Sequence, residues 1–331
     1  EILRCLVGSE MCIRDSSQPA SVGVTSIIQN IGKVTNSGVE IELDYNAFKN
    51  KDWSVSVGAN ATFVKNKIKN LPATMKENGY ISGSKKWLEG KSIYEFWLRQ
   101  WHGVDPQTGD GLYVADVSKY NQGNIGTGDG NITQSQFDEY KKTVVTIDGK
   151  ELTNSYTYAK YDFSGSSIPD VYGGFNVRVS YKNFDLAAVF SYQLGGQILD
   201  TNYATMMSMT EFGYAQSPDL LKAWKQAGDI TEVPRIDNSA AHTTNIGQSY
   251  STRWLTSSDY LNLRSVTIGY QLPKTWLSKV MLKSARLNLT AENLFMLKAR
   301  QGLNPMANYS GVTYNEYMPS RNITLGLNVS F

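Results

Sequence analysis

The stretch GVEIELDYNAFKNKDWSVSVGANATF, residues 38–63, restricts the fold more than any other part of the chain. In its first half Val39, Ile41, Leu43, Tyr45 and Ala47 alternate with Glu40, Glu42, Asp44 and Asn46. In its second half Trp53, Val55, Val57, Ala59, Ala61 and Phe63 alternate with Ser54, Ser56, Gly58, Asn60 and Thr62. Period-two alternation sends one set of side chains to each face of a strand. The polar turn Lys49-Asn50-Lys51-Asp52 joins the arms. Each arm has about the ~9–11 residues of a tilted membrane-spanning strand, against ~5–6 for an average strand. The reading is a hairpin of a β-barrel.

The same unit recurs. Phe175, Val177, Val179 and Tyr181 alternate with polar residues, Lys182-Asn183 turns, and Phe184, Leu186, Ala188, Phe190 and Tyr192 return. Further strands are expected over residues 92–103, from 112, over 260–272 and 285–295, and in a closing strand where Ile323, Leu325, Leu327, Val329 and Phe331 alternate with Asn322, Thr324, Gly326, Asn328 and Ser330. Turn chemistry at Asp105-Pro-Gln-Thr-Gly-Asp110 suggests a short connection there, and Asp148-Gly149 a small hairpin inside the polar stretch 117–167. Ser217-Pro218 followed by LLKAWKQA and Gly228 predicts a short amphipathic helix. The expected connections alternate short and long, as periplasmic turns and external loops do in outer-membrane barrels. About nine strands counted this way leave the last one running inward. Aromatics at strand ends (Tyr45, Trp53, Phe63, Tyr181, Phe184, Tyr192, Tyr270, Phe295) suit interfacial girdles.

Composition agrees. The formal net charge of +2 and a charged fraction of 19% give no footprint for nucleic acid. The sequence has no apolar run of about 18 residues, a test blind to barrels because every second strand residue is polar. Residues 1–16, EILRCLVGSEMCIRDS, hold both cysteines, Cys5 and Cys12, and show no strand alternation. They resemble translated adapter sequence, so residues 17–331 carry the fold reading.

The segment Asn30-Ile-Gly-Lys-Val-Thr-Asn-Ser-Gly-Val-Glu40 resembles the NxGxVxNxGxE signature of SusC/RagA-type TonB-dependent transporters. GVDPQTGDGLY (103–113), IPDVYGGF (168–175), AWKQAGDITEVPR (223–235), SDYLNLRSVTIGYQLP (258–273), RLNLTAENLF (286–295) and the closing PSRNITLGLNVSF resemble the same family in the same order. The likeness is colinear over residues 20–331. Gly302-Leu-Asn-Pro305 departs from it where the family more often has an acidic GxDPE-like sequence. The resemblance implies an all-β antiparallel transmembrane barrel of which this chain is the C-terminal part, without the plug. It also implies import of oligosaccharides or oligopeptides, a SusD-like surface lipoprotein as lid, TonB as the source of work, and a place in the outer-membrane lipid of a Gram-negative, Bacteroidetes-like cell. Such a partial barrel has two open sheet edges and is expected to aggregate alone.

Catalytic and metal chemistry finds no pattern. His102 and His242 lie outside any HxxxH or HExxH spacing and read as structural. Gly126-Thr-Gly-Asp-Gly130 is not followed by a lysine. DGNITQSQFDEY lacks carboxylates at the first and twelfth positions of a calcium loop. Glu40, Glu42 and Asp44 share the wet face of a barrel strand. No enzyme, cofactor or metal is expected. Among the loop aromatics Trp87, Tyr203, Tyr214, Trp224 and Trp254, the residues chosen for cargo or lid contact are Trp87 and Trp254. Phe331, an aromatic ending an alternating strand, resembles the signal read by the outer-membrane assembly machinery. The competing reading is a soluble all-β glycan-binding or adhesive module, with shorter strands.

Overall fold

The computed structural model describes residues 2–17, 26–208, 213, 215–237, 239–277, 282–314 and 316–331, through residue 31 as backbone only. Tyr214 lies outside the described residues. The chain opens with β1 (Ile2–Ser17), antiparallel to β2 (Ser26–Lys49), which turns into β3 (Trp53–Asn70). The turn closes because Asn50 Oδ1 accepts the amides of Asp52 (2.9 Å) and Trp53 (2.7 Å), the Asx geometry that favours asparagine there.

A first excursion, 71–170, carries α1 (Ala73–Lys76), β4 (Tyr80–Ser82), β5 (Lys85–Trp87), β6 (Glu95–Arg99), β7 (Trp101–Val104), β8 (Gly111–Val114), α2 (Gln134–Thr143), β9 (Val144–Ile147), β10 (Lys150–Thr153) and β11 (Tyr161–Ser166). The chain then returns as β12 (Val171–Tyr181) and β13 (Phe184–Leu194). A second excursion, 195–259, holds β14 (Gln197–Leu199), α3 (Thr201–Met206), α4 (Ala240–Ile246) and β15 (Leu255–Ser257). It leads into β16 (Tyr260–Gln271), the short α5 (Lys274–Leu277), β17 (Ser284–Lys298), a third excursion over 299–321, and β18 (Asn322–Ser330).

The long strands form one antiparallel sheet in the order β1-β2-β3-β12-β13-β16-β17-β18. It is a plain meander, each excursion starting and ending on neighbouring strands. β12 has 11 residues, about 36 Å at ~3.3 Å each, which at ~45° tilt spans about the ~25 Å of an outer-membrane apolar band.

Register decides which side is apolar. Val55, Val179, Leu186, Ile268, Leu289 and Leu325 stand opposite one another in turn across six strands. One step toward the short turns, Trp53, Tyr181, Phe184 and Tyr270 make an aromatic row, with ring centroids 4.3 Å apart for Trp53–Tyr181 and for Phe184–Tyr270. This face is exposed: Leu43 at 53%, Phe184 at 54%, Ile268 at 47% and Leu325 at 69%. A soluble sandwich would bury it against a second sheet. Buried apolar residues instead concentrate in the excursions, where Phe96, Leu98, Leu199, Trp254 and Val312 share one core. Chains that expose their strands and bury their loops are organised for lipid.

The opposite face is polar. Glu40, Glu42 and Asp44 pair with Thr62, Asn60 and Gly58. Arg286 Nη2 donates to Asp185 Oδ2 at 2.6 Å across Gly269, where a Cβ would sit 2.4 Å from that nitrogen, so the ion pair requires glycine there.

Two expectations need correction. The strands expected over 92–103 and from 112 do not join the large sheet. β6 pairs with β11 and β7 with β8, and Phe96, Leu98, Leu112 and Tyr113 are fully buried. In β8, Gly111, Leu112 and Tyr113 are buried in succession, which removes the alternation there, and the Asp105–Asp110 turn closes a loop hairpin, not a barrel turn. Because the two miscounted strands form a pair, removing them leaves the parity unchanged, and β18 still runs toward the short-turn end. Second, LLKAWKQA is not a helix; a 3-10 turn over Pro218–Lys222 ends before Trp224, whose amide bonds the carbonyl of Val233. Residues 2–17, set aside in the sequence reading, pair with β2 as β1. An open ladder edge on β2 accepts the backbone of any proline-free segment, so this pairing carries no information about the segment's origin. The Asp148-Gly149 hairpin forms as expected between β9 and β10, with Asp148 at φ 49° and Gly149 at φ 73°.

Candidate functional site

The three excursions leave the same end of the large sheet and pack on one another. Two of the motif stretches meet there. Trp224 Nε1 and the Gly228 amide both donate to the carbonyl of Pro106 (3.0 and 2.7 Å), and the Arg235 amide donates to Gly109 (2.9 Å). Gly109, at φ 74°, leaves room for the indole, which a Cβ would approach to 2.4 Å. Arg235 Nε then donates to Asp110 Oδ1 at 3.0 Å and Arg235 Nη1 to Asp237 Oδ2 at 2.6 Å, while His242 Nδ1 lies 3.7 Å from Asp110. His242 Nε2 is 2.8 Å from the Arg235 carbonyl, a buried structural histidine.

This clamp lines a cavity of about 560 Å³ shared with Thr143, Tyr156 and Asn245. His242 foremost, with Arg235 and Asn154, holds the Asp110 carboxyl down to about 2. A carboxylate depressed below its unfolded value stabilises the fold above about pH 4 and loses that contribution as pH falls toward 2. We therefore expect the contact between the first and second excursions to weaken by roughly 1–2 kcal/mol across that window. Asp110→Asn should flatten this dependence, read as protease accessibility of residues 224–237 against pH.

The second join links the second and third excursions. Asp200 is buried at the N-cap of α3, where its carboxylate accepts the Tyr203 amide (3.0 Å), the Thr313 hydroxyl (3.1 Å) and the Arg300 guanidinium. Arg300 lies 3.4 Å from the Tyr203 ring centroid, and burial lowers its pKa to about 10. Tyr203 OH donates to Asp219 at 2.8 Å, and the tyrosine's ring meets Trp254 edge-on at 5.8 Å.

Beside this join is a cavity of about 330 Å³ lined by Trp101, His102, Tyr203, Glu232, Arg253 and Trp254 among others. The Arg253 guanidinium lies 4.7 Å from the Trp101 ring and 4.3 Å from that of Trp254, and donates to the Ile246 carbonyl. Aromatic faces with one cation can stack on a sugar ring or an aromatic side chain. Trp254 is 3% exposed, its indole N–H bonded to Gln248, and it borders this cavity from within the loop core. Trp87 is half-buried in a separate cluster with Val34, Ile68 and Leu71, its ring 5.5 Å from Tyr80. The structure does not bring the two tryptophans together. Trp101 and Arg253 were missed as site residues, since no spacing in the sequence signals their partnership across excursions. Phe331, 81% exposed, follows β18 and continues its exposed apolar set.

No family model matches the chain. It is 28% identical to TonB-dependent receptor P3 of Formosa agariphila, over 95% of this chain and 30% of that protein. It is 23% identical to TonB-dependent receptor SusC of Bacteroides thetaiotaomicron, over 92% of this chain and 27% of SusC. Among solved structures, the RagAB peptide importer in its closed-closed state shares the fold with a TM-score of 0.75 at 24% identity, covering 99% of this chain and 33% of that one. The chain thus spans about a third of the length of the curated relatives it matches. Sequence likeness over nearly the whole chain and the shared partial-barrel fold agree, and the chain is a relative of the SusC/RagA-type TonB-dependent transporters.

Proposed function

We propose that the chain is the C-terminal wall and loop layer of an outer-membrane transporter that imports oligosaccharides or peptides, with a SusD-like lipoprotein over its loops and TonB supplying work. The observation that carries this reading is the exposed apolar face, in register across the sheet, with an aromatic row at the short-turn edge and the excursions at the other end. Residues 17–331 are the transporter's own, and 1–16 a non-native, adapter-derived segment. Cargo meets the loop layer at the cavity bordered by Trp254 and Arg253, with the half-buried Trp87 offering contact to the lid. Uptake of fluorescent oligosaccharide and peptide pools tests the reading: cells lacking the gene, or lacking TonB, should lose uptake of the same pool. Unchanged uptake in both would sink it.

Phe331 serves membrane assembly. Its deletion from the complete protein is expected to lower the outer-membrane level several-fold, by immunoblot of membrane fractions, with total synthesis unchanged. An unchanged membrane level would remove that role.

A further inference from the structure

The polar face of the large sheet holds one feature that neither barrel closure nor the loop layer requires. At one level, two neighbouring ladders break together: β13–β16 between Val189 and Phe190, and β16–β17 between Leu263 and Ser265. Arg264 has no pairing partner on either side, and on β17 Asn293 takes φ 52°. Leu263 stays on the apolar face opposite Phe190 and Phe295, so the bulge lets Arg264 and Ser265 both face the polar side. Bulges re-aim side chains in this way next to functional sites.

Arg264 and Ser265 line a cavity of about 650 Å³ with Ser191, Tyr260, Asn262 and Glu292. Arg264 is exposed and makes no hydrogen bond or ion pair with any described residue. Asn262 is 2% exposed, its Nδ2 reaches Asn293 Oδ1 at 3.4 Å, and its Oδ1 has no donor among the described residues. Glu292, which lines the same cavity, accepts from the Asn322 side-chain amide at 3.2 Å.

We propose that this bulged patch is a carboxylate-binding subsite on the transport path: Arg264 takes an acid group of the cargo through its fork, and Asn262 and Ser265 take hydroxyl or amide groups beside it. The inference rests on the transporter reading and narrows its cargo to acidic chains. Uronate-bearing oligosaccharides and acidic peptides share the required chemistry, a carboxylate flanked by donors. A guanidinium fork matches a carboxylate in two hydrogen bonds, and charge-assisted bonds of this kind shift affinity by about tenfold or more.

The test uses the complete purified transporter and two probe pairs: trigalacturonate against its methyl ester, and a glutamate-containing pentapeptide against its glutamine counterpart. Calorimetry should show the acid member of one pair binding about tenfold tighter than the neutral one. Arg264→Gln should erase that preference without changing neutral binding, and Arg264→Lys should keep part of it. The pair that discriminates identifies the source of the acid. Equal binding within both pairs, an unchanged preference in Arg264→Gln, or no saturable binding of either acidic probe overturns the subsite. If the preference holds but cells lacking the gene import the acid probe normally, the transporter reading fails and the subsite stands.

Discussion

Leu325→Arg destabilises the membrane-inserted protein by about 2–4 kcal/mol, whereas Thr324→Arg, one residue away, costs less than about 1 kcal/mol. Leu325 is 69% exposed on the apolar face, in the row with Leu289, Ile268 and Leu186. Thr324 pairs with Thr290 on the polar face. In lipid the first arginine loses its hydration with nothing to replace it; the second stays wet. A soluble protein would invert the ranking or abolish it, because an arginine on an exposed position in water costs almost nothing. Urea-dependent unfolding from vesicles, followed by tryptophan emission, reads the difference. Equal behaviour of the two variants would contradict the assignment of faces.

Asp200→Asn carries the second large effect. Asp200 takes an amide, a hydroxyl and a guanidinium from residues separated in sequence but joined at one buried point. Removing one partner of a buried charged pair costs about 3–5 kcal/mol, because the remaining charge stays desolvated. Here that charge is Arg300, one of whose nitrogens, Nη1, already lacks a partner among the described residues. The loss should appear as local opening of the third excursion. Hydrogen exchange at Leu199, Gly311 and Thr313 is expected to accelerate by roughly a hundredfold or more, while the β12–β13 ladder keeps its protection. Uniform acceleration over both regions would mean the carboxylate stabilises the whole barrel.

The barrel wall was legible because its rule is local. Alternation across residues 38–63 and 175–192 dictates the face of each side chain, and tight polar turns dictate register, so hairpins β2–β3 and β12–β13 follow from a few residues each. The loop layer was not legible in the same way. β6, β7 and β8 carry strand-like composition, yet whether such a segment enters the wall or a small loop sheet depends on partners such as β11 and β10. LLKAWKQA, residues 220–227, reads as helical in sequence but is not, because Pro106 and Gly109, more than a hundred residues earlier, capture Trp224. Trp254 was chosen for its type, and the structure gives it a cavity shared with Trp101 and Arg253. Trp87 was chosen on the same ground and belongs to a different cluster. Arg264 drew no attention, because a bulge that redirects a side chain leaves the surrounding alternation almost intact.

The central claim is that one face of the β18 side of the sheet meets lipid and the other water. Single cysteines at positions 322 to 330 can carry nitroxide labels in the complete protein reconstituted into bilayers, since residues 17–331 contain no cysteine of their own. Collision rates with oxygen should peak at positions 323, 325, 327 and 329, and collision rates with a water-soluble nickel chelate at 322, 324, 326, 328 and 330. A flat profile, or one of the opposite phase, would contradict the account.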